Sequence, residues 1–205
     1  MSKKSYHHGN LREALVNAAL EILADDGVEG VSLRKVAQKA GVSATALYTH
    51  FKDKRELLAI MAAQGFDGLS SSMQEQSNES DKDTKEKADK THNNLLSLAR
   101  GYVFFAIKNP YLFQLMFGKQ FINLSEFPAL AEASASSYAI MTSAVAEQVK
   151  SKGGHTNAKI GAAAAWSMMH GLSTLINDGK ISAETSGVGS IDELVEQVGG
   201  TLTFS

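Results

Sequence analysis

The stretch "VSLRKVAQKAGVSATALYTHF", Val31 to Phe51, places two helix starts eleven residues apart with a glycine between them. Ser32 can cap a helix whose inner face is Leu33, Val36, Ala37 and Ala40. Gly41 stops that helix, Val42 is expected to plug inward, and Ser43 can cap a second helix running to about His50. Ala37 and Ala40 keep the crossing small enough for the two axes to approach. Two short helices joined this tightly predict a helix-turn-helix, whose second helix can present its amino-terminal end to a DNA major groove. An ordinary helical hairpin satisfies the same local geometry.

The flanks continue the helical pattern. Leu11, Ala14, Leu15, Ala18, Ala19, Ile22 and Leu23 form one apolar stripe, with Asn10 as its cap and Asp25-Asp26-Gly27 as its end. Phe51 is expected to anchor a fourth helix through Leu57, Leu58, Met61 and Phe66. The 205 residues include only two prolines and show no β-branched alternation, so the fold class expected is all-α. A hydrophobic content of 43% is enough for a buried core. The absence of cysteine excludes a disulfide scaffold, thiol catalysis and a thiolate metal site, and it fits a reducing cytosol. The amino-terminal "MSKKSYHHGNLREALV" lacks the apolar segment of a signal peptide. The longest apolar run, Ile160 to Ile176, is too short to span a membrane, so a cytoplasmic chain without a membrane partner is expected.

From Ser70 to Asn94 almost no apolar residues occur, and burial there cannot offset the entropy of ordering. The expected organisation is therefore a helix-turn-helix domain over 1–69, a polar linker over 70–94 and a second helical domain over 95–205. In the second, helices are predicted over 95–108, 111–117, about 126–151, 156–178 and 191–198, the last cut short by Gly199-Gly200.

Net charge is −2, but it is unevenly distributed: residues 1–60 sum to +2 and the remainder to −4. The basic footprint is local to Lys35, Lys39, Lys52, Lys54 and Arg55. The amino-terminal Lys3, Lys4, Tyr6, His7 and His8 read as a DNA-contacting arm or as a plain tail, with a metal site the least favoured reading because adjacent histidines do not converge on one ion without partners placed by a fold.

"LREALVNAALEILADDGVEGVSLRKVAQKAGVSATALYTHFKDKRELL" resembles the DNA-binding domain of the TetR family of transcriptional regulators along its full length. The resemblance implies an amino-terminal helix-turn-helix domain, a carboxy-terminal helical domain for effector binding and dimerisation, and no enzymatic role. By position, Tyr48, His50 and Lys54 match residues that hold the DNA backbone, and all three can donate to phosphate. Ser32 and Ser43 begin helices whose unpaired N–H groups can face phosphate, and Lys52 adds charge. Ala44 and Thr45 sit at the tip that would meet the bases. Arg34 matches a position that can reach a guanine edge; a phosphate contact or an intramolecular ion pair is the competing role.

Nine of the fifteen aromatic residues lie between Tyr102 and Tyr138. They read as helical core or as an apolar ligand pocket. With the effector domain that the resemblance implies, the candidate pocket residues are Tyr102, Phe105, Phe113, Phe117, Phe121, Tyr138, Met141, Trp166 and His170. The Trp166-x-x-x-His170-Gly171 spacing is similar to the signature of one TetR subgroup. A buried His170 bonded to a backbone carbonyl is the plainer reading, and Gly171 would admit another helix. Helix 156–178 is apolar on most faces and, with the last helix, suits dimerisation as the family's four-helix bundle. The expectation is a homodimeric repressor that binds a palindromic duplex operator and is released by a small, mostly apolar effector. No metal or cofactor site is expected. A DNA-binding dimer that lacks a small-molecule effector is the alternative.

Overall fold

The computed structural model describes residues 11–80, 87–121 and 123–202, with backbone alone for 79–80 and 87–92. All regular structure among them is helical: α1 Leu11–Gly30, α2 Leu33–Lys39, α3 Ala44–Tyr48, α4 Lys54–Ser80, α5 Lys87–Lys108, α6 Pro110–Met116, α7 Pro128–Ser151, α8 Ala158–Asn177 and α9 Ile191–Gly200. The expected cap at Asn10 and the arm at Lys3 to His8 lie outside the described residues. No described helix is long and apolar enough to cross a membrane.

The chain forms two compact units, divided differently from the expected 1–69, 70–94 and 95–205. One runs to Gly65 and takes back Pro110–Ala131; the other combines Phe66–Asn109 with the chain from Glu132 onward. Tertiary packing draws these boundaries. α6 lies against α1, where the Tyr111 ring fills the space that a Cβ on Gly27 would enter at 3.3 Å. The predicted linker is largely helical, because α4 continues to Ser80 and α5 starts at Lys87. Leu69 and Met73 are buried, and Ser72 Oγ donates to the Gly101 carbonyl at 2.9 Å, so a sparse inner face suffices to hold a polar helix.

In the first unit α1 packs on α2 and α2 on α3. Leu15, Leu23, Val36, Leu47, Phe51, Leu57 and Met61 are buried there. Gly27 (φ 68°) breaks α1 and Gly41 (φ 71°) makes the turn between α2 and α3, both in the left-handed region that favours glycine. Val42 is only half-buried, and its backbone N–H donates to the Ala37 carbonyl at 2.9 Å. Asp53 and Glu56 form a capping box on α4: Glu56 N–H donates to Asp53 Oδ1 at 2.9 Å, and Lys52 N–H to Glu56 Oε2 at 2.7 Å.

In the second unit α5 packs on α8 and α9, and α8 on α9. Gly101 permits the closest approach; a Cβ there would stand 2.5 Å from the Ser72 carbonyl oxygen and 2.6 Å from Met73 Cα. Arg100 on α5 lies 2.8 Å from Asp192 and 2.8 Å from Glu196 on α9. Gly199-Gly200 does not shorten the last helix, which runs through both residues to a cap at Thr201. A Cβ on Gly199 would come within 2.8 Å of Leu96 Cδ2, a clash that rotation of that leucine can relieve.

Candidate functional site

Both capping serines behave as their positions predict. Ser32 Oγ accepts from Lys35 N–H at 3.3 Å and Ser43 Oγ from Ala46 N–H at 3.2 Å. Each hydroxyl keeps its own proton to donate outward. Next to these caps, Arg34, Ala44, Thr45 and Lys52 are exposed, and His50 is half-buried. Tyr48 is 59% exposed although its neighbours Leu47 and Phe51 are buried. The ring thus stands in water on a helix end, beside two buried anchors, and takes no part in the core.

The cations divide into held and unheld. Lys35 pairs with Asp26 at 3.3 Å, Lys39 with Glu21 at 2.8 Å and Arg55 with Glu126 at 3.2 Å. Arg55 also lies over the Phe127 ring at 5.3 Å. Lys54 Nζ donates to the Val28 carbonyl at 3.4 Å and is half-buried. Arg34 and Lys52 have no ion pair among the described residues and stand in solvent. Exposed pairs are worth little, so a polyanion can compete for the held lysines as well.

The nine aromatic and methionine candidates divide between the two units. Phe113, Phe117 and Phe121 lie in the same unit as α1 to α3, with Phe113 and Phe117 rings 5.0 Å apart and Phe121 edge-on to Phe127 at 5.7 Å. The other six lie in the second unit. Phe105 is buried there against Gly68. Tyr102, Trp166 and His170 do meet: Trp166 Nε1–H donates to the Tyr102 hydroxyl at 2.9 Å, and that hydroxyl is 3.0 Å from His170 Nδ1. A hydroxyl that accepts from indole keeps its own proton and can donate it to Nδ1 of a neutral imidazole. Burial lowers the His170 pKa and raises that of Tyr102, both favouring neutral forms. His170 Nδ1 thus faces a phenol from α5. Tyr138 stacks tilted on Trp166 at 4.8 Å. Gly171 has nothing within 4 Å of a would-be Cβ among the described residues, so no described helix packs on it.

Met141 alone of the nine borders a small, partly open apolar crevice of about 20 Å³, whose walls include Leu95, Ala99, Met168, Met169, Leu202 and Gln148. Sequence reading passed over Gln148, which is 1% exposed. A signal was present: Met141, Val145, Gln148 and Val149 share one helical stripe. Asp53-x-x-Glu56 was equally readable as a capping box.

Comparison with known proteins agrees with both halves of the chain. The family described as bacterial regulatory proteins, tetR family, matches residues 15–61. The family described as tetracyclin repressor-like, C-terminal domain, matches residues 95–198. The Escherichia coli tetracycline repressor protein class C is 51% identical over 51 residues, which are 25% of this chain and 23% of that protein. The chain thus spans about a quarter of that repressor's length. An uncharacterised helix-turn-helix regulator of Bacillus subtilis, YobS, is 36% identical over 102 residues, covering 50% of this chain and 49% of YobS. A solved structure of a protein of unknown function from Rhodococcus sp. RHA1 superposes with a TM-score of 0.81 at 31% identity, covering 98% of this chain and 97% of that one. The chain belongs to the TetR family and is a DNA-binding transcriptional regulator.

Proposed function

We propose that the protein is a cytoplasmic homodimeric repressor that holds a near-palindromic duplex operator until a small effector binds its second unit. Tyr48 carries the DNA-facing part of this reading, since its exposed ring stands between buried anchors and its phenol can donate to a phosphate oxygen. Ser32, Ser43, His50, Lys52 and Lys54 supply further phosphate donors. Ala44 and Thr45 offer methyl groups and one hydroxyl to the bases, and Arg34 supplies a bidentate donor.

The dimer reading is supported by the outward face of α8. Ile160 is 68% exposed and Leu175 40%, with Ala163 and Ala164 exposed beside them. An apolar stripe of this kind on one helix suits burial against a second copy. The repressor role follows the name of the tetracycline repressor relative, whose match covers the DNA-binding region alone. Effector control acts by differential affinity for two states of the dimer that space their recognition helices differently.

A second reading, DNA binding without a small-molecule effector, is favoured by one observation: the apolar crevice holds only about 20 Å³. The two separate in one titration. With a selected operator duplex bound and followed by fluorescence anisotropy, an effector-controlled dimer gives compound-dependent release. A protein that stays bound throughout a broad panel of apolar compounds, none of which shifts its Tm, follows the second reading.

A further inference from the structure

Gln148 on α7 is 1% exposed, and its Oε1 has no hydrogen-bond partner among the described residues. A buried amide oxygen left unmatched costs stability that a methionine of similar shape would not. The same residue lines the apolar crevice between α5, α7, α8 and α9. Leu95, Ala99 and Leu202 supply other walls, and no charged side chain takes part. Met141, Met168 and Met169 also border the space. Methionine is unbranched and adaptable, so rotation of these three thioethers can lengthen a crevice that otherwise has room for about one water.

We infer that this crevice is a binding site for a neutral, elongated aliphatic molecule carrying one O–H or N–H, which donates to Gln148 Oε1 while its chain replaces methionine contacts. The chemistry excludes ionised ligands. A carboxylate or ammonium buried here would find no opposite charge, and burying an unpaired charge is far more costly than burying an amide. The site differs from the aromatic set expected from the sequence, sharing only Met141 with it. The inference rests on the effector-controlled reading for its biological use, but the binding itself does not.

The test titrates the full chain by calorimetry, without DNA, using four probes of equal length at pH 7.4: 1-hexanol, 1-fluorohexane, hexanoate and hexylammonium. 1-Hexanol is expected to bind at least about tenfold tighter than each of the others, because only it donates to the amide oxygen without carrying a charge into the crevice. In Gln148→Met, 1-hexanol and 1-fluorohexane should bind within twofold of each other, with a Tm no lower than that of the parent. Equal binding of 1-hexanol and 1-fluorohexane to the parent chain overturns the site, as do tighter binding of either ion and no binding of any probe. These parent-chain results stand even if the variant misfolds. A preference for the alcohol that survives Gln148→Met also overturns it. Operator release is measured separately: 1-hexanol binding without release removes the effector-controlled reading and leaves the site standing. Release by compounds whose action is indifferent to Gln148→Met removes the site and leaves that reading.

Discussion

Two tyrosines set the halves of the molecule against each other. Tyr48 on α3 is 59% exposed, whereas Tyr102 on α5 is 3% exposed. The Tyr102 hydroxyl is engaged inside the chain, receiving a hydrogen bond from Trp166 and facing His170 Nδ1 at 3.0 Å. Tyr48 keeps its phenol at the surface. The same side chain thus stands exposed in one unit and serves as an internal strut in the other. Neighbouring anchors decide which: Leu47 and Phe51 fill the core around Tyr48, so its ring is not needed there.

The strongest way to break the contrast is at the tightest helix crossing of the second unit. Gly101→Val forces a side chain into backbone 2.5 Å away and should cost about 3 kcal/mol or more of unfolding free energy by urea titration. An unchanged midpoint would mean that α4 and α5 are not held as described. Next in size, Tyr102→Phe leaves the indole N–H and Nδ1 without their shared partner. We expect a loss of about 2 kcal/mol, with operator affinity at 25 °C within twofold of the parent. Tyr48→Phe should do the reverse: affinity for all duplex DNA falls about tenfold while stability stays within about 0.5 kcal/mol. If both tyrosine variants changed the same observable, the contrast would collapse.

The smallest effect concerns pH. Burial lowers the pKa of His170 below its ordinary 6.5, so the unfolded chain binds the proton more readily. Stability should therefore decline as pH falls below about 6.5 toward the folded value, then level off once both states are protonated. His170→Gln should flatten that slope, as read from Tm between pH 5 and 7.5.

What could be read beforehand follows the range of the forces involved. Caps and turns are local: Ser32, Ser43 and Gly41 each act within a few residues, and each stands where the sequence pattern predicts. The stripe of α1 and the burial of Leu47 and Phe51 were readable for the same reason. Partners from distant parts of the chain were not. Tyr102 meets Trp166 from 64 positions away, and no periodicity announces that meeting. Pro110–Ala131 returns to the first unit, which scatters an aromatic run that looked like one pocket. Polar residues over 70–80 concealed a helix because its inner side is marked by a single buried apolar residue, Met73, and by the hydroxyls of Ser72 and Ser77 among the described side chains. Gly101 gave no sign of its role, since an isolated glycine in a helical pattern reads the same whether a neighbour presses on it or not.

The central claim is that base recognition is shared between Arg34 on α2 and the tip of α3 in a two-fold dimer. Selection of bound sequences from a random duplex pool, run in parallel with the parent protein and Arg34→Ala, tests it most directly. The account predicts inverted repeats with half-site centres separated by about one helical turn or a multiple of it. It also predicts that Arg34→Ala loses preference at a guanine in each half-site while the remaining positions persist. Identical base preferences for the two proteins, or selected sites without two-fold symmetry, would contradict it.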